Sequence, residues 1–240
     1  MITSAANPRL KLVRKLASSR SQREKLGLFV CEGEDLVEAG LAAGLEPVEL
    51  LVAGENVEPE LLAVVSTLAH PPRQVAIFRR EDLARLDPAA APETGLALCR
   101  VGDPGNVGAI LRAADGLGPA FVALSGGCAD PTGPKALRAS MGAVFRVPLG
   151  RFEDAPGRRI ALVAHGGEPL HDLDLSGPVT FVLGAEREGV PESVAAACER
   201  RGSIGLEPGA ESLNVALAAA LALYERRRSR AGTGGSRGEG

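Results

Sequence analysis

The chain has 240 residues, 45% of them hydrophobic and 3% aromatic, with a formal net charge of −3. This length is sufficient for one large domain or two small ones, and the 30 glycines and 17 prolines indicate an α/β protein with many tight turns. Cys31, Cys99, Cys128 and Cys198 form no C-x-x-C pair, so we expect no zinc site, no disulfide framework and a reducing, cytoplasmic environment.

The first part of the chain alternates short helical and strand patterns. A basic helix is predicted over 8–25, followed by a strand at 27–32, a helix at 34–43, a strand at 48–53, a helix at 59–68 and a strand at 74–78. Such alternation is typical of a small α/β unit. The segment DPAAAPETG at 87–95 has the composition of a linker, so a first domain is predicted over 1–90.

A second, longer α/β series follows the linker. Strands are predicted at 96–101, 121–124, 144–148, 160–164, 180–183 and 203–206, and helices at 107–117, 134–141 and 191–200. Continuous apolar strands such as FVLG at 181–184 predict a parallel sheet covered on both faces. The final helix is apolar on all sides from Leu213 to Tyr224, so we expect it in the interior or in a subunit interface. The Gly/Ser/Arg-rich segment 229–240 is expected to be disordered.

Positive charge is concentrated at the two ends of the chain. Residues 1–25 contain seven Lys or Arg and one Glu, and residues 225–240 contain five Arg and two Glu. Two basic ends on an acidic body favour a polyanionic partner such as RNA, although a solvated helix and a tail explain the same pattern. The N-terminus has no apolar signal segment and no stretch is long enough to span a bilayer, so no membrane association is expected.

Ligands of open parallel sheets bind beyond the carboxyl ends of the strands, which directs attention to the loops after Val101, Leu183 and Leu206. The glycine spacing in these loops matches neither a Rossmann fingerprint nor a P-loop. Asn106 is predicted to cap one helix, and Ser212 or Asn214 the last one, and capping alone would account for these residues. None of the three histidines falls in these loops, so the chemistry indicated is positioning and charge stabilisation.

Three ordered segments carry a family resemblance. They read NVGAILRAA at 106–114, LGAEREGV at 183–190 and ESLNVA at 211–216. They resemble the motifs of the SpoU/TrmH family of RNA ribose 2′-O-methyltransferases, within the SPOUT superfamily. DPTGPKALRASMGAVFRVP at 130–148 is similar to the segment between the first two motifs, and FVCEGEDLVEAGLAAGLEPVELLVAGE near the N-terminus resembles the substrate-binding domain often fused to these enzymes.

The resemblance implies an α/β SPOUT domain over 95–228 with a parallel sheet and a C-terminal trefoil knot, preceded by a smaller α/β RNA-binding domain. It also implies a homodimer that binds S-adenosyl-L-methionine in the knot and requires no metal. The positions that match cofactor contacts, with two plausible further walls, are Leu183, Gly184, Ile204, Leu206 and Leu213. Arg112 matches the arginine with the central catalytic role.

The resemblance also assigns roles to the polar positions around Arg112, and the basic N-terminal segment supports the predicted contacts with RNA. The residues expected to orient Arg112, the ribose and the cofactor are Asn106, Glu186, Ser212 and Asn214. The residues expected to contact RNA are Arg9, Lys11, Arg14, Lys15, Arg23, Lys135 and Arg138. We expect the substrate to be 23S ribosomal RNA. A transfer-RNA ribose methyltransferase and a non-catalytic RNA-binding protein of the same fold are the alternatives, and a small-molecule α/β enzyme is disfavoured because the nucleotide fingerprints are missing.

Overall fold

The computed structural model describes residues 1–234 and contains two sheets. The first sheet is built from the N-terminal part of the chain. Its strands and the helices around them are α1 (Pro8–Ser18), α2 (Arg20–Leu26), β1 (Leu28–Glu32), α3 (Glu34–Ala42), β2 (Glu49–Val52), α4 (Pro59–Val65) and β3 (Gln74–Arg79). The strands are antiparallel in the order β1-β3-β2, and Leu28 pairs with Arg79.

The N-terminal basic segment is two helices rather than the single predicted helix. Ser19 has extended backbone angles, and its side chain accepts a hydrogen bond from the Gln22 N–H at the start of α2. Leu10, Val13 and Leu16 of α1 are fully buried against the small sheet. The helix therefore contributes an apolar face to the core and a basic face to solvent.

The second sheet has seven strands, all parallel, in the order β6-β5-β4-β9-β7-β10-β8. The strands are β4 (Thr94–Leu98), β5 (Phe121–Leu124), β6 (Leu149–Arg151), β7 (Arg158–Leu162), β8 (Glu168–Pro169), β9 (Val179–Leu183) and β10 (Arg200–Ser203). The helices are α5 (Pro104–Leu117), α6 (Pro134–Ser140), α7 (Glu192–Ala196) and α8 (Val215–Gly234). All residues of β4 and β9 are buried, as expected for central parallel strands.

Several predicted boundaries are wrong. The strand predicted at 144–148 is a 3-10 turn at Ala143–Phe145, and the next strand begins at Leu149. The last strand occupies Arg200–Ser203 rather than 203–206, because its pairing with β7 sets the register from Arg200. The last helix continues to Gly234, so 229–234 is helical where a disordered tail was predicted. The remainder of that predicted tail, 235–240, lies outside the described residues.

One hydrophobic cluster extends across the two sheets. The rings of Phe29 and Phe78 from the small sheet lie 6.4 and 6.1 Å from that of Phe145, which follows α6. Tight contact between α5 and α6 depends on Gly108, where a Cβ would lie 2.4 Å from the Ala136 carbonyl oxygen. This packing fixes the first turn of α5 at the carboxyl edge of the large sheet.

Candidate functional site

A cleft opens at the carboxyl edge of the large sheet, where β7, β9 and β10 end and α8 begins. It encloses about 610 Å³, including space open to solvent. All five residues expected at the cofactor line it, namely Leu183, Gly184, Ile204, Leu206 and Leu213. Glu186 and Ser212 also line it, while Ile204 and Leu206 belong to the loop after β10 rather than to the predicted strand.

Gly184 shapes the floor of this cleft. A Cβ at this position would lie 1.9 Å from the carbonyl carbon of Gly189 and 2.2 Å from the nitrogen of Val190. The chain after β9 therefore folds back onto its own start, and the Gly189 N–H donates to the Ala185 carbonyl at 2.8 Å. Any residue with a side chain at 184 would push this loop away from the strand end.

Three polar side chains from the three motifs form one hydrogen-bonded chain beside the cleft. Asn106 Nδ2 donates to Glu186 Oε1 at 2.6 Å, and Asn214 Nδ2 donates to Asn106 Oδ1 at 3.0 Å. Asn214 Oδ1 accepts from the Ala216 N–H at 2.9 Å, so Asn214 also caps α8 as predicted. Residues more than 100 positions apart in sequence are thus held in a fixed mutual orientation.

The predicted cap at the start of α5 is wrong. Asp103 precedes Pro104 and accepts the Asn106 N–H at 3.0 Å, so Asp103 is the N-cap and Asn106 lies inside the first turn. This releases the Asn106 side chain for the network described above. The Lys135 ammonium donates to Asp103 at 2.9 Å, and this contact, with the Asn106 N–H, holds the pKa of Asp103 below its usual value.

Arg112 does not join the network. It is exposed, does not line the cleft, and has no hydrogen-bond or ion-pair partner among residues 1–234. Six residues along an α-helix correspond to a rotation of about 240°, so Arg112 and Asn106 lie on different faces of α5. Ser212 lines the cleft near Leu213 but is not the cap of α8.

The residues expected to contact RNA lie in different environments. Lys11 and Lys15 are exposed and Arg14 is half-buried on α1, whereas Arg9 is ion-paired with Glu49. Arg138 donates to Thr67 Oγ1 at 3.0 Å and lies 3.7 Å from Glu32. These positions remain predicted RNA contacts, as does Lys135.

Arg23 is an exception, and its prediction is wrong. It is 5% exposed, its Nε donates to Asp130 at 2.7 Å, and its Nη1 donates to the Leu16 carbonyl. Asp130 also accepts from Arg80 and from the Thr132 N–H, which lies at 3.0 Å. Arg23 is therefore part of a buried ion-pair cluster between α2 and the segment after β5, out of reach of RNA.

Some residues of the site were not foreseen from the sequence. Val163 and Ala164, which follow β7, line the cleft, and so do Val215 and Ala218 of α8. Ligands of open parallel sheets bind beyond the carboxyl ends of the strands, and Val163 and Ala164 directly follow such an end. The strand pattern at 160–164 therefore indicates these two residues as well. Within residues 1–234 no helix is long and apolar enough to cross a bilayer, and no three His, Cys, Asp or Glu side chains are grouped to hold a metal.

Comparison with known proteins shows which family this chain resembles over most of its length. The profile of the SpoU rRNA Methylase family matches residues 93–224. An uncharacterized tRNA/rRNA methyltransferase of Synechocystis is 31% identical, over 95% of this chain and 93% of the relative. The Bacillus subtilis protein named 23S rRNA (guanosine(2553)-2′-O)-methyltransferase RlmP is 30% identical, over 94% of this chain and 98% of its own.

A solved structure shows the same architecture. The crystal structure of an AdoMet-bound rRNA methyltransferase from Sinorhizobium meliloti superposes with a TM-score of 0.84 at 29% identity, covering 95% of this chain and 97% of the other. The superposition covers 95% of this chain, so it includes both the small and the large sheet. Because the family profile matches more than half of the chain and the relative from Synechocystis is 31% identical over 95% of it, the chain belongs to the SpoU rRNA methylase family.

Proposed function

We propose that this protein transfers a methyl group from S-adenosyl-L-methionine to a ribose 2′-hydroxyl of 23S ribosomal RNA. The observation that carries the proposal is the Asn214–Asn106–Glu186 hydrogen-bonded chain at the rim of an apolar cleft. The relative from Bacillus subtilis bears the name of this activity, and the structure from Sinorhizobium meliloti is described as AdoMet-bound. The cytoplasm is the expected compartment.

The cleft suits S-adenosyl-L-methionine. Leu183, Ile204, Leu206 and Leu213 provide apolar walls for an adenine ring, and the loop that Gly184 permits exposes backbone groups to the cleft. The cofactor supplies a sulfonium methyl group that is already activated for transfer. The residues of the chain are then needed for orientation and charge rather than for activation, which is why no metal is expected.

The polar residues have distinct tasks in this proposal. Asn106, fixed by Glu186 and Asn214, orients the ribose at the rim of the cleft. Arg112 stabilises the phosphate or the developing alkoxide through its guanidinium, since a group with a pKa above about 12 is a poor proton acceptor. Ser212, beside Leu213, lies where a hydroxyl can hydrogen-bond either the ribose or the cofactor.

We further propose that the protein is a homodimer in which Arg112 acts at the partner's cleft. Leu217, Leu221 and Tyr224 form an exposed apolar stripe on α8, with 58%, 43% and 57% exposure. Such a stripe is typical of a surface covered by another subunit. Arg112 has no hydrogen-bond or ion-pair partner among the described residues and does not line its own cleft, so in this proposal a second copy brings it to the reacting groups. The trefoil knot expected around the cleft remains a prediction of the same proposal.

The N-terminal unit, residues 1–90, is proposed to bind RNA through the basic face of α1. Lys11 and Lys15 are exposed there, whereas the opposite face is buried. Replacing both lysines by Gln should weaken RNA binding and reduce its salt dependence. An unchanged salt dependence would leave α1 with a purely structural role.

Transfer of labelled methyl groups to 23S ribosomal RNA tests the proposed activity. Arg112→Ala should abolish transfer and leave cofactor affinity, measured by calorimetry, unchanged, while Arg146→Ala serves as an exposed arginine control away from the cleft. Label on transfer RNA instead would support the transfer-RNA alternative, and cofactor binding without transfer to any RNA would contradict the assigned reaction. Absence of cofactor binding would favour the non-catalytic alternative.

The dimer proposal has a separate test. Gly184→Val should lose cofactor binding, and Arg112→Ala should lose transfer, so each homodimer is inactive. Mixed dimers of the two variants should regain part of the activity, because one cleft then has both an intact floor and an arginine from its partner. No recovery in mixed dimers, with dimers verified by sedimentation, would place Arg112 at its own cleft.

A further inference from the structure

A pocket lies at the amino edge of the large sheet, opposite the cleft. It is bounded by Thr94 at the start of β4, by Gly118 after α5, and by Arg226, Arg227 and Arg230 of α8. We call it the arginine pocket. The five residues of β4 rise about 3.3 Å each, so roughly 15 Å separates the arginine pocket from the cleft.

Among the described residues 1–234, positive charge exceeds negative charge around the arginine pocket. The Glu93 carboxylate forms ion pairs with two guanidinium groups: its Oε2 lies 3.4 Å from Nη2 of Arg226 and 3.2 Å from Nη2 of Arg230. Arg227 is exposed and has no ion-pair partner among residues 1–234. The positive charge of Arg158 also repels that of Arg226, and the negative charge of Asp174 attracts it. An anion in the pocket would therefore meet net attraction.

Arg226 is the unusual group of the arginine pocket. Its side chain is 4% exposed, and its Nη2 donates to the Gly177 carbonyl at 2.7 Å. Its Nε is buried without a hydrogen-bond partner in the described residues. Burial, and after it the charge of Arg230, lowers the pKa of Arg226. A buried donor without an acceptor is unfavourable, so Nε of Arg226 favours the binding of an acceptor in the pocket.

We propose that the arginine pocket binds a phosphate group of the RNA backbone. This inference rests on the proposed function, which makes RNA the polyanion that the protein meets. Nε of Arg226 is a buried donor with no acceptor in the described residues, so a single phosphate oxygen would satisfy it, and Arg227 supplies a second cation at the mouth of the pocket. The RNA then extends from the cleft at the carboxyl edge of the sheet, past the length of the strands, to the arginine pocket at the amino edge.

The salt dependence of RNA binding tests the inference. The variant is Arg227→Gln, and the matched control is Arg228→Gln, because Arg228 is on the next position of α8, is bound to Glu225 and does not line the pocket. Binding of a 23S ribosomal RNA transcript is measured by filter retention between about 50 and 200 mM salt. Arg227→Gln should weaken binding roughly tenfold and lower the salt slope by about 0.7–0.9, whereas Arg228→Gln should change neither.

A second arm distinguishes an RNA phosphate from free phosphate. Inorganic phosphate is titrated into the wild type, Arg227→Gln and Arg226→Gln, and phosphorus NMR line widths are followed, with folding verified by thermal melting. Broadening that both variants abolish, together with the altered RNA slope, is the expected result. Broadening with an unchanged RNA slope would overturn RNA as the source of the phosphate, and no effect in either arm would overturn the site.

Methyl transfer by the wild type separates this inference from the proposed function. If the wild type methylates 23S ribosomal RNA but Arg227→Gln binds RNA as Arg228→Gln does, the arginine pocket is not an RNA site and the activity is unaffected. If the wild type methylates no RNA, the proposed function fails, and the phosphate titration alone then decides whether the arginine pocket binds an anion.

Discussion

Replacement of Asp130 by Asn should be among the most destabilising polar substitutions in this protein. The Asp130 carboxylate is 3% exposed and accepts from Arg23 at 2.7 Å, from Arg80 at 3.2 Å, and from Thr132. Asn keeps the shape but removes the charge, so the buried Arg23 guanidinium loses its counter-ion. Breaking a buried ion pair in this way costs about 3–5 kcal/mol of unfolding free energy.

A matched control separates burial from pairing. Arg146 and Asp115 are also ion-paired, at 2.6 Å, but their side chains are 49% and 29% exposed. Asp115→Asn should cost less than about 1 kcal/mol, because solvent screens an exposed pair. Urea unfolding followed by circular dichroism at pH 7 measures both variants on one scale. A loss below about 1 kcal/mol for Asp130→Asn would refute the reasoning.

The same contact predicts a pH dependence. Burial acts to raise the pKa of Asp130, but the charge of Arg80 and the hydrogen bonds of Arg23 and Thr132 outweigh it, and the pKa is lowered. A lowered pKa stabilises the folded state above the unfolded value, about 3.9, and this stability is lost as pH falls through the folded value. The difference between wild type and Asp130→Asn should therefore shrink below about pH 4. A difference that stays constant to pH 3 would contradict this assignment.

Three further substitutions or reactions follow from the geometry. Gly184→Ala should abolish cofactor binding measured by calorimetry, because its Cβ would overlap Gly189. It should also lower the free energy of unfolding, measured in urea, by about 1–3 kcal/mol. An unchanged affinity for the cofactor would show that the loop can move. Asn214→Ala should cost about 1 kcal/mol through the lost α8 cap and slow methyl transfer more than it weakens cofactor binding; equal losses would make Asn214 a cofactor residue. A thiol reagent at pH 8 should label Cys198 in the native protein but Cys31 only in urea, because Cys31 is buried and burial raises its pKa. Labelling of Cys31 in the native protein, detected by mass spectrometry, would contradict this.

The parts of the fold that depend on local pattern were predictable from the sequence. The apolar runs at 121–124 and 180–183 became β5 and β9 because central parallel strands are apolar on both faces. Strand β10 was misplaced because its sequence, RRGS, carries no such signal and its position is set by pairing with β7 and β8. Pairing partners distant in sequence decide where such a strand lies.

The candidate site shows the same division. Each motif is recognisable by itself in the sequence, and Asp103 before Pro104 is a typical N-cap signal. The hydrogen bond from Asn106 to Glu186 spans 80 positions and follows only from the arrangement of β4 and β9 in the sheet. Arg23 was misassigned because a basic helix predicts charge at the surface, while the acceptor that buries this residue, Asp130, lies 107 positions away.

Nucleoside analysis of 23S ribosomal RNA after incubation with the protein and S-adenosyl-L-methionine tests the central claim most directly. A methyl group on a ribose 2′-oxygen protects the adjacent phosphodiester bond from alkaline hydrolysis, and the resistant dinucleotide is identified by mass spectrometry. A methylated base gives no such protection. The proposed function predicts 2′-O-methylation of 23S ribosomal RNA with the wild type and none with Arg112→Ala. A methylated base, or no modified nucleotide under conditions in which the Bacillus subtilis relative modifies its own substrate, would contradict the account.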